Sequence, residues 1–145
     1  MRLWTKQALI AVVALGMPVI AAAQYRDLDT ALSSVNRGFG SGDTQAIVSG
    51  MTDDEKVELQ FPELIPQTGF FGRDQATYVL EQLFAKAKPT GFEMRVARKS
   101  SSEGQYHITA LWSVAGGQRE LYITLHSKAD KWSIVSVRSA RSAGK

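Results

Sequence analysis

The apolar residues of the first half of the chain recur with the period of an α-helix in three places. The first set, between 26 and 39, follows an i, i+3, i+4, i+7, i+11 pattern and predicts a helix that ends at the glycines after it. Asp43 is a good N-cap residue, so we expect a second, short helix from there to Val48. A third helix is predicted from Asp74 onward, and Pro89 stops it. Its apolar stripe consists of Ala76, Val79, Leu80, Leu83, Phe84 and Ala87.

The remaining segments alternate between apolar and polar residues, which is typical of strands with one buried face. Residues 62–72 contain Pro62 and Pro66 and are expected to form a loop before the third helix. Phe70 and Phe71, at the end of this loop, are expected to plug the core. The order of helices and strands favours an α+β fold with the helices on one face of the sheet. The predicted strands are 56–61, 92–97, 106–114, 121–125 and 132–138.

A pair of glycines sets the expected register of the central hairpin. Gly116 and Gly117 both tolerate positive φ, which suits a two-residue turn. With these two as the loop residues, Trp112 faces Leu121 across the hairpin, and the large apolar residues fall on one face. The register of the last hairpin stays open, because the loop 127–131 does not fix it. The inward set consists of Phe92, Met94, Val96, Tyr106, Ile108, Ala110, Trp112, Val114, Leu121, Ile123 and Leu125.

The chain resembles the nuclear transport factor 2-like superfamily, and within it a family of small exported bacterial proteins of unknown function. The resemblance covers nearly all of 25–138. It implies a cone-shaped α+β fold, in which N-terminal helices pack in the concave face of a curved, mostly antiparallel sheet. It also implies export, and it brings no known activity. The matching pieces are ValGluLeu (57–59), GlyPhePheGlyArgAspGlnAla (69–76), LeuPheAlaLysAlaLysPro (83–89) with Phe92, SerSerSerGluGlyGlnTyrHisIle (100–108), ArgGluLeuTyrIleThrLeu (119–125) and AspLysTrpSerIle (130–134).

Residues 1–23 have the order of a secretory signal peptide: a basic start, a short apolar run and small residues before Gln24. An uncleaved membrane anchor is the alternative. We expect cleavage and a periplasmic or secreted protein without stable membrane insertion, because the apolar segment is short and contains Gly16 and Pro18. One domain is predicted at 24–138, followed by a flexible tail at 139–145.

Composition then excludes several classes of function. Without residues 1–23, which hold Arg2 and Lys6, 15 of the 17 basic residues remain against 14 acidic ones, so the net charge of +3 falls to +1. Such a small charge does not indicate nucleic-acid binding. The absence of cysteine excludes disulfides, cysteine zinc ligands, a thiol nucleophile and a lipid-modified cysteine.

Chemistry-bearing residues are scarce on the predicted inner face. Enzymes with a similar fold, such as ketosteroid isomerase, place Asp, His or Tyr inside the cone, whereas the inward set here holds no carboxylate and no histidine. His107 and His126 are expected to face each other on the outer face. Two histidines lack the third ligand of a metal site, so an exposed polar pair is the simpler interpretation. The acidic run at 53–55 is interpreted as a solvated turn, and neither a metal nor a cofactor is expected.

Two classes of function follow. The first is a non-catalytic binding or interaction module for an apolar small molecule or a protein, and the alternative is a small isomerase or hydrolase. An apolar lining favours the first, although the same residues could simply fill a core. The candidate pocket residues are Phe71, Phe92, Met94, Tyr106, Ile108, Trp112, Leu121 and Ile123.

A homodimer through the outer face of the sheet is a further hypothesis. Leu111 and Tyr122 are expected to be cross-strand neighbours there, with Thr124 close by and either Ile134 or Val135 beside them. Apolar residues exposed together on a sheet often mark an association surface.

Overall fold

The computed structural model describes residues 24–100 and 104–141, so the predicted signal peptide and residues 142–145 lie outside the described residues. Its helices are α1 (Leu28–Ser41), α2 (Thr44–Val48) and α3 (Arg73–Lys86). Its strands are β1 (Val57–Gln60), β2 (Thr68–Phe71), β3 (Pro89–Lys99), β4 (Gln105–Val114), β5 (Gly117–Lys128) and β6 (Lys131–Arg141).

The helices begin and end where local chemistry favours it. Asp27 caps α1, accepting a hydrogen bond from the backbone N–H of Thr30 over 2.8 Å. Gly42 ends α1 in the left-handed conformation, with φ of 77°. Asp43 caps α2 as expected. None of the described helices has the length and apolar character needed to cross a membrane.

The strands form one six-stranded sheet in the order β2-β1-β6-β5-β4-β3. Every pairing is antiparallel except that of β1 with β6. The helices pack on the inner face, where Phe39 of α1 lies edge-on to Trp112 of β4 with ring centroids 5.7 Å apart. The α+β prediction, with helices against a curved and mostly antiparallel sheet, is confirmed.

The predicted register of the β4–β5 hairpin is wrong by two residues. Val114 pairs with Gly117, which leaves Ala115 and Gly116 as the loop residues. The positive φ falls on Gly117, at 130°, rather than on both glycines. Because a shift of two residues preserves the alternation of a strand, the inward faces of β4 and β5 are still the predicted ones. In β3 the prediction for Val96 is wrong: a bulge after Met94 pairs Val96 with Thr109 of the outer face, and its side chain is exposed. Trp112 now faces Arg119.

The same shift changes the outer face. His107 faces Thr124 and His126 faces Gln105, so the two histidines are not opposed. Leu111 faces Glu120 and is therefore a diagonal neighbour of Tyr122 rather than its direct partner.

One element and one boundary also differ from the predictions. The segment predicted as a loop contains β2, and Phe70 within it is 66% exposed instead of plugging the core. Strand β6 continues to Arg141, so the domain extends three residues beyond the predicted end at 138. In the last hairpin, Ala129 and Asp130 turn with positive φ, and Ile134 is buried on the inner side.

A buried clasp joins the start of the described chain to the sheet. The backbone of Tyr25 exchanges two hydrogen bonds with that of Trp132, of 2.8 and 3.0 Å. The hydroxyl group of Tyr25 donates to the carbonyl oxygens of Ala46 and Ile47 at the end of α2. Burial raises the pKa of this tyrosine above its ordinary value.

A second, solvent-exposed clasp joins the β1–β2 connection to the neighbouring ends of β5 and β6. The carboxylate of Glu63 accepts hydrogen bonds from Arg141 Nε over 2.8 Å and from Arg119 Nη1 over 3.3 Å. Both hydrogen bonds lower the pKa of Glu63, and the one from Arg141 has the larger effect.

We expect this clasp to make stability depend on acid pH. Because the pKa of Glu63 is lowered on folding, its contribution is fully present above the ordinary glutamate pKa of about 4.3 and is lost as the pH falls through the lowered value. Glu63→Gln should therefore lower the melting temperature at pH 7, and the gap to the wild type should close in strong acid. Thermal unfolding followed by circular dichroism from pH 7 to about 2 measures both. A gap that stays constant with pH would contradict this role.

Candidate functional site

The interior is occupied by an aromatic cluster around Trp112. This side chain has no solvent exposure, and its ring contacts those of Phe39, Phe61 and Phe84. Its indole N–H donates to the carbonyl oxygen of Phe39 over 2.8 Å, so this polar group is already bound. Buried polar groups in a packed core need hydrogen-bond partners, and the indole N–H of Trp112 has one.

The eight candidate pocket residues separate into two groups. Ile108, Trp112, Leu121 and Ile123 are fully buried and belong to one hydrophobic core. The other four are half-buried at its margins, where Phe92 stacks on Phe39 and Tyr106 lies edge-on to Trp132. An apolar ligand inside the cone would have to displace the first group, because those side chains already contact one another and the helices.

The outer face of the sheet carries a groove of about 460 Å³ instead. The strand register aligns Glu58, Ser136, Thr124 and His107 in one row across four strands; we call this the polar row. Gln60, Arg138, Tyr122 and Thr109 form the neighbouring row. Seven of these eight side chains, all but Gln60, line the groove.

Hydrogen bonds divide the polar row into two pairs. The hydroxyl of Ser136 donates to Glu58 Oε1 over 3.1 Å, and Gln60 Nε2 donates to the other carboxylate oxygen over 2.9 Å. At the other end, His107 Nδ1 lies 3.2 Å from Thr124 Oγ1. The hydroxyl of Ser136 is therefore directed to a carboxylate and not to a histidine.

Tyr122 contributes an aromatic ring to the lining of this groove, and 36% of its surface is exposed. Its hydroxyl donates to the carboxylate of Glu120 on the same strand, and this hydrogen bond raises the pKa of Tyr122. Arg138 faces it from β6. Of the candidate dimer residues, Leu111 and Thr124 are partly exposed.

A second groove, of about 410 Å³, lies between β2 and α3. Its surface is mostly apolar, and it is lined by Phe71, Tyr78 and Val79 together with Gln67, Asp74 and Gln75. Sequence analysis missed this groove because it treated 62–72 as a loop. The available signal was the run of threonine and phenylalanine at 68–71, whose residue types favour a strand.

The acidic run at 53–55 does not gather around a cation in the described part of the chain. Asp53 Oδ1 lies 3.7 Å from Arg73 Nη1, so its nearest charged partner is a guanidinium group. Within residues 24–100 and 104–141, no three histidine, cysteine, aspartate or glutamate side chains come together in a way that could hold a metal ion.

Comparison with known proteins identifies a family whose model matches this chain. The model of a domain of unknown function, DUF4783, matches residues 32–139. A DUF4783 family protein from Bacteroides ovatus has a similar crystal structure, with a TM-score of 0.65 and 19% identity over 76% of this chain and 94% of that one. Among curated protein sequences, none matches this chain significantly.

Two more distant structures share the fold. An NTF-2 like protein of unknown function from Silicibacter pomeroyi has a TM-score of 0.52 at 14% identity, over 77% of this chain and 90% of its own. A putative calcium/calmodulin-dependent protein kinase type II association domain from Thiobacillus denitrificans has a TM-score of 0.61 at 10% identity, over 82% of this chain and 98% of its own. These similarities confirm the NTF2-like architecture.

Proposed function

The chain belongs to the DUF4783 family, and we propose that it is an exported, non-catalytic binding module that associates with a second copy of itself through the outer face of its sheet. The outer-face groove, which the exposed Tyr122 lines, is the observation that carries the proposal. Export rests on the basic, apolar and small-residue order of residues 1–23.

The filled interior supports a role for the outside of the sheet. The inner residues that could line an apolar pocket are packed against the helices, and the indole donor of Trp112 is already bound. A small apolar molecule would gain little there without first opening the core. The groove on the outer face, by contrast, is open without any rearrangement.

The chemistry of the outer face suits a second copy of the same surface. A two-fold interface uses one patch twice, so the patch must be self-complementary. Here the negative charges of Glu58 and Glu120 and the positive charges of Arg98 and Arg138 lie around an exposed aromatic ring. A face with both signs of charge can pair with itself without net repulsion. The name of the structurally similar association domain fits the same kind of role.

The alternative, a small isomerase or hydrolase, would need a nucleophile that a neighbouring base activates, or a general acid or base that transfers a proton. The polar row contains suitable residue types, but Ser136 donates to Glu58 while His107 contacts Thr124. A nucleophilic hydroxyl and its histidine base are within hydrogen-bond reach in enzymes of that kind. The separation of these two pairs supports the non-catalytic proposal.

Light scattering after size-exclusion chromatography tests the proposal. The wild type is expected to elute with the mass of two chains, and Tyr122→Lys is expected to shift it to one chain. The lysine removes the aromatic contact and adds a charge that each copy must desolvate near the other. Tyr78→Lys is the matched control, because Tyr78 is an exposed tyrosine on α3, away from the sheet's outer face.

Two results would count against this role. One is a wild-type protein that stays monomeric at the highest soluble concentration. The other is a dimer that Tyr122→Lys leaves intact although circular dichroism shows the variant folded.

A further inference from the structure

We propose that the free edge of β2 and the apolar groove between β2 and α3 form a binding site for an extended peptide that carries an apolar side chain next to a basic one. The peptide would add a strand to the sheet along Thr68–Phe71 and insert its apolar side chain beside Phe71 and Tyr78. The groove of this site shares no lining residue with the outer-face groove, and the proposal does not depend on self-association.

The edge itself is available for pairing. β2 is the terminal strand of the sheet, and no other strand of the described chain pairs with its free side. The other terminal strand, β3, is protected in the usual ways, because it carries Arg95, Arg98 and Lys99 and has two irregularities in its register. β2 carries no charge and exposes Phe70, so nothing comparable opposes the addition of a strand.

The groove supplies the anchor that so short a strand requires. Four residues offer few backbone hydrogen bonds, so most of the affinity must come from a buried side chain. The volume of about 410 Å³ is at the small end of ligand pockets, which suits one large apolar side chain and the backbone around it. Tyr78, 57% exposed, would be covered by the added strand.

An unpartnered acceptor lies in the wall of this groove. Gln67 Oε1 is buried, and no described group donates a hydrogen bond to it. Buried amide oxygens in native proteins usually have a donor. Gln67 directly precedes β2, and a backbone N–H of an added strand would become its donor if the amide group turned outward when the strand binds.

The charges at the border of the groove select a basic neighbour for the apolar side chain. Asp74 lines the groove, and Glu81 lies seven residues further along α3, on the same face of the helix as Asp74 and Tyr78. The nearby Arg73 is paired with Asp53 at 3.7 Å. A lysine or arginine beside the apolar residue of the peptide would therefore meet an acidic surface.

Titration of the isotope-labelled protein with three end-blocked pentapeptides tests the proposal by NMR. Each probe has two threonines, then a central leucine, phenylalanine or valine, then lysine and a last threonine. We expect at least one to shift amide signals of residues 67–71 and 74–79 and to leave those of the outer-face groove on β4 and β5 unchanged. Glu58 of that groove is not used as a reference, because it faces Phe70 across the β1–β2 pair. N-methylation of alternate peptide amides on the pairing side should abolish the shifts, because strand addition requires those donors.

Two variants locate the site and test its charge preference. Tyr78→Lys is expected to weaken the best probe at least about tenfold, while Tyr122→Lys leaves its affinity unchanged. Asp74→Asn should weaken the lysine probe and have little effect on a probe with glutamine in place of lysine. Dimerisation measured by light scattering stays intact in Tyr78→Lys, so failure of this site and failure of the dimer are distinguishable.

Three outcomes would overturn the proposal: no shifts with any of the three probes at millimolar concentration, shifts centred elsewhere, or full binding of the N-methylated peptide. Equal affinity of the lysine and glutamine probes would overturn the charge preference.

Discussion

Trp112→Ala is expected to lower the free energy of unfolding by about 3–5 kcal/mol, the usual cost of removing a large buried aromatic side chain. Trp112 has no exposed surface and contacts three other aromatic rings, so the cavity left behind cannot fill easily. The substitution also removes the donor to the carbonyl oxygen of Phe39. Urea denaturation followed by circular dichroism gives the loss directly.

Trp132→Ala is the matched control for this measurement. Trp132 is only half-buried and lies at the margin of the core against Tyr106. Its replacement should cost clearly less than that of Trp112. If Trp112→Ala were the milder of the two, Trp112 would line an open pocket, and the apolar-ligand interpretation of the cone would regain its support.

Gly50→Ala is expected to destabilise the protein by about 1–3 kcal/mol, toward the upper end of that range. A Cβ atom at this position would lie 2.1 Å from Cε2 and 2.2 Å from Cζ of Tyr25. The ring cannot move aside freely, because its hydroxyl is bonded to Ala46 and its backbone to Trp132. Relief of the clash therefore requires breaking part of the clasp.

Gly116→Ala separates this clash from the general effect of replacing a glycine. Nothing lies within 4 Å of a Cβ atom built at Gly116, and its φ lies outside the left-handed region. The free energy of unfolding of Gly116→Ala should differ from that of the wild type by about 0.5 kcal/mol or less. Equal losses in the two variants would show that Tyr25 is not held in place.

Sequence patterns predicted the helices because each helix carries its own signals. The caps Asp43 and Gly42 and the stop at Pro89 act within a few residues, so a local pattern is sufficient. The inner faces of β4 and β5 were predicted for a similar reason. Alternation has a period of two, and the error in register was also two residues, which left each side chain on its predicted face.

The missed features depend on contacts between distant parts of the chain. The register error arose because either glycine of the pair can occupy the position with positive φ, and local sequence does not decide which one does. Strand β2 has four residues and, within the described part of the chain, β1 as its one partner, so its alternation is short and gives a weak local signal. Whether Trp112 lines a pocket or fills a core depends on Phe39, 73 residues away, and alternation is identical in both cases.

The position of β6 has a consequence for the order in which the protein acquires its structure. Among the described strands β6 is the last in chain order, yet it lies between β1 and β5, and it alone links the β1–β2 pair to the other strands. A nascent chain that has completed β1 and β2 must therefore keep Leu59 and Phe61, both core residues, without their sheet until some 70 residues later. Folding of the whole sheet is thus expected after synthesis of β6, and during that interval the exposed apolar side chains of the β1–β2 pair make this part of the chain prone to aggregation.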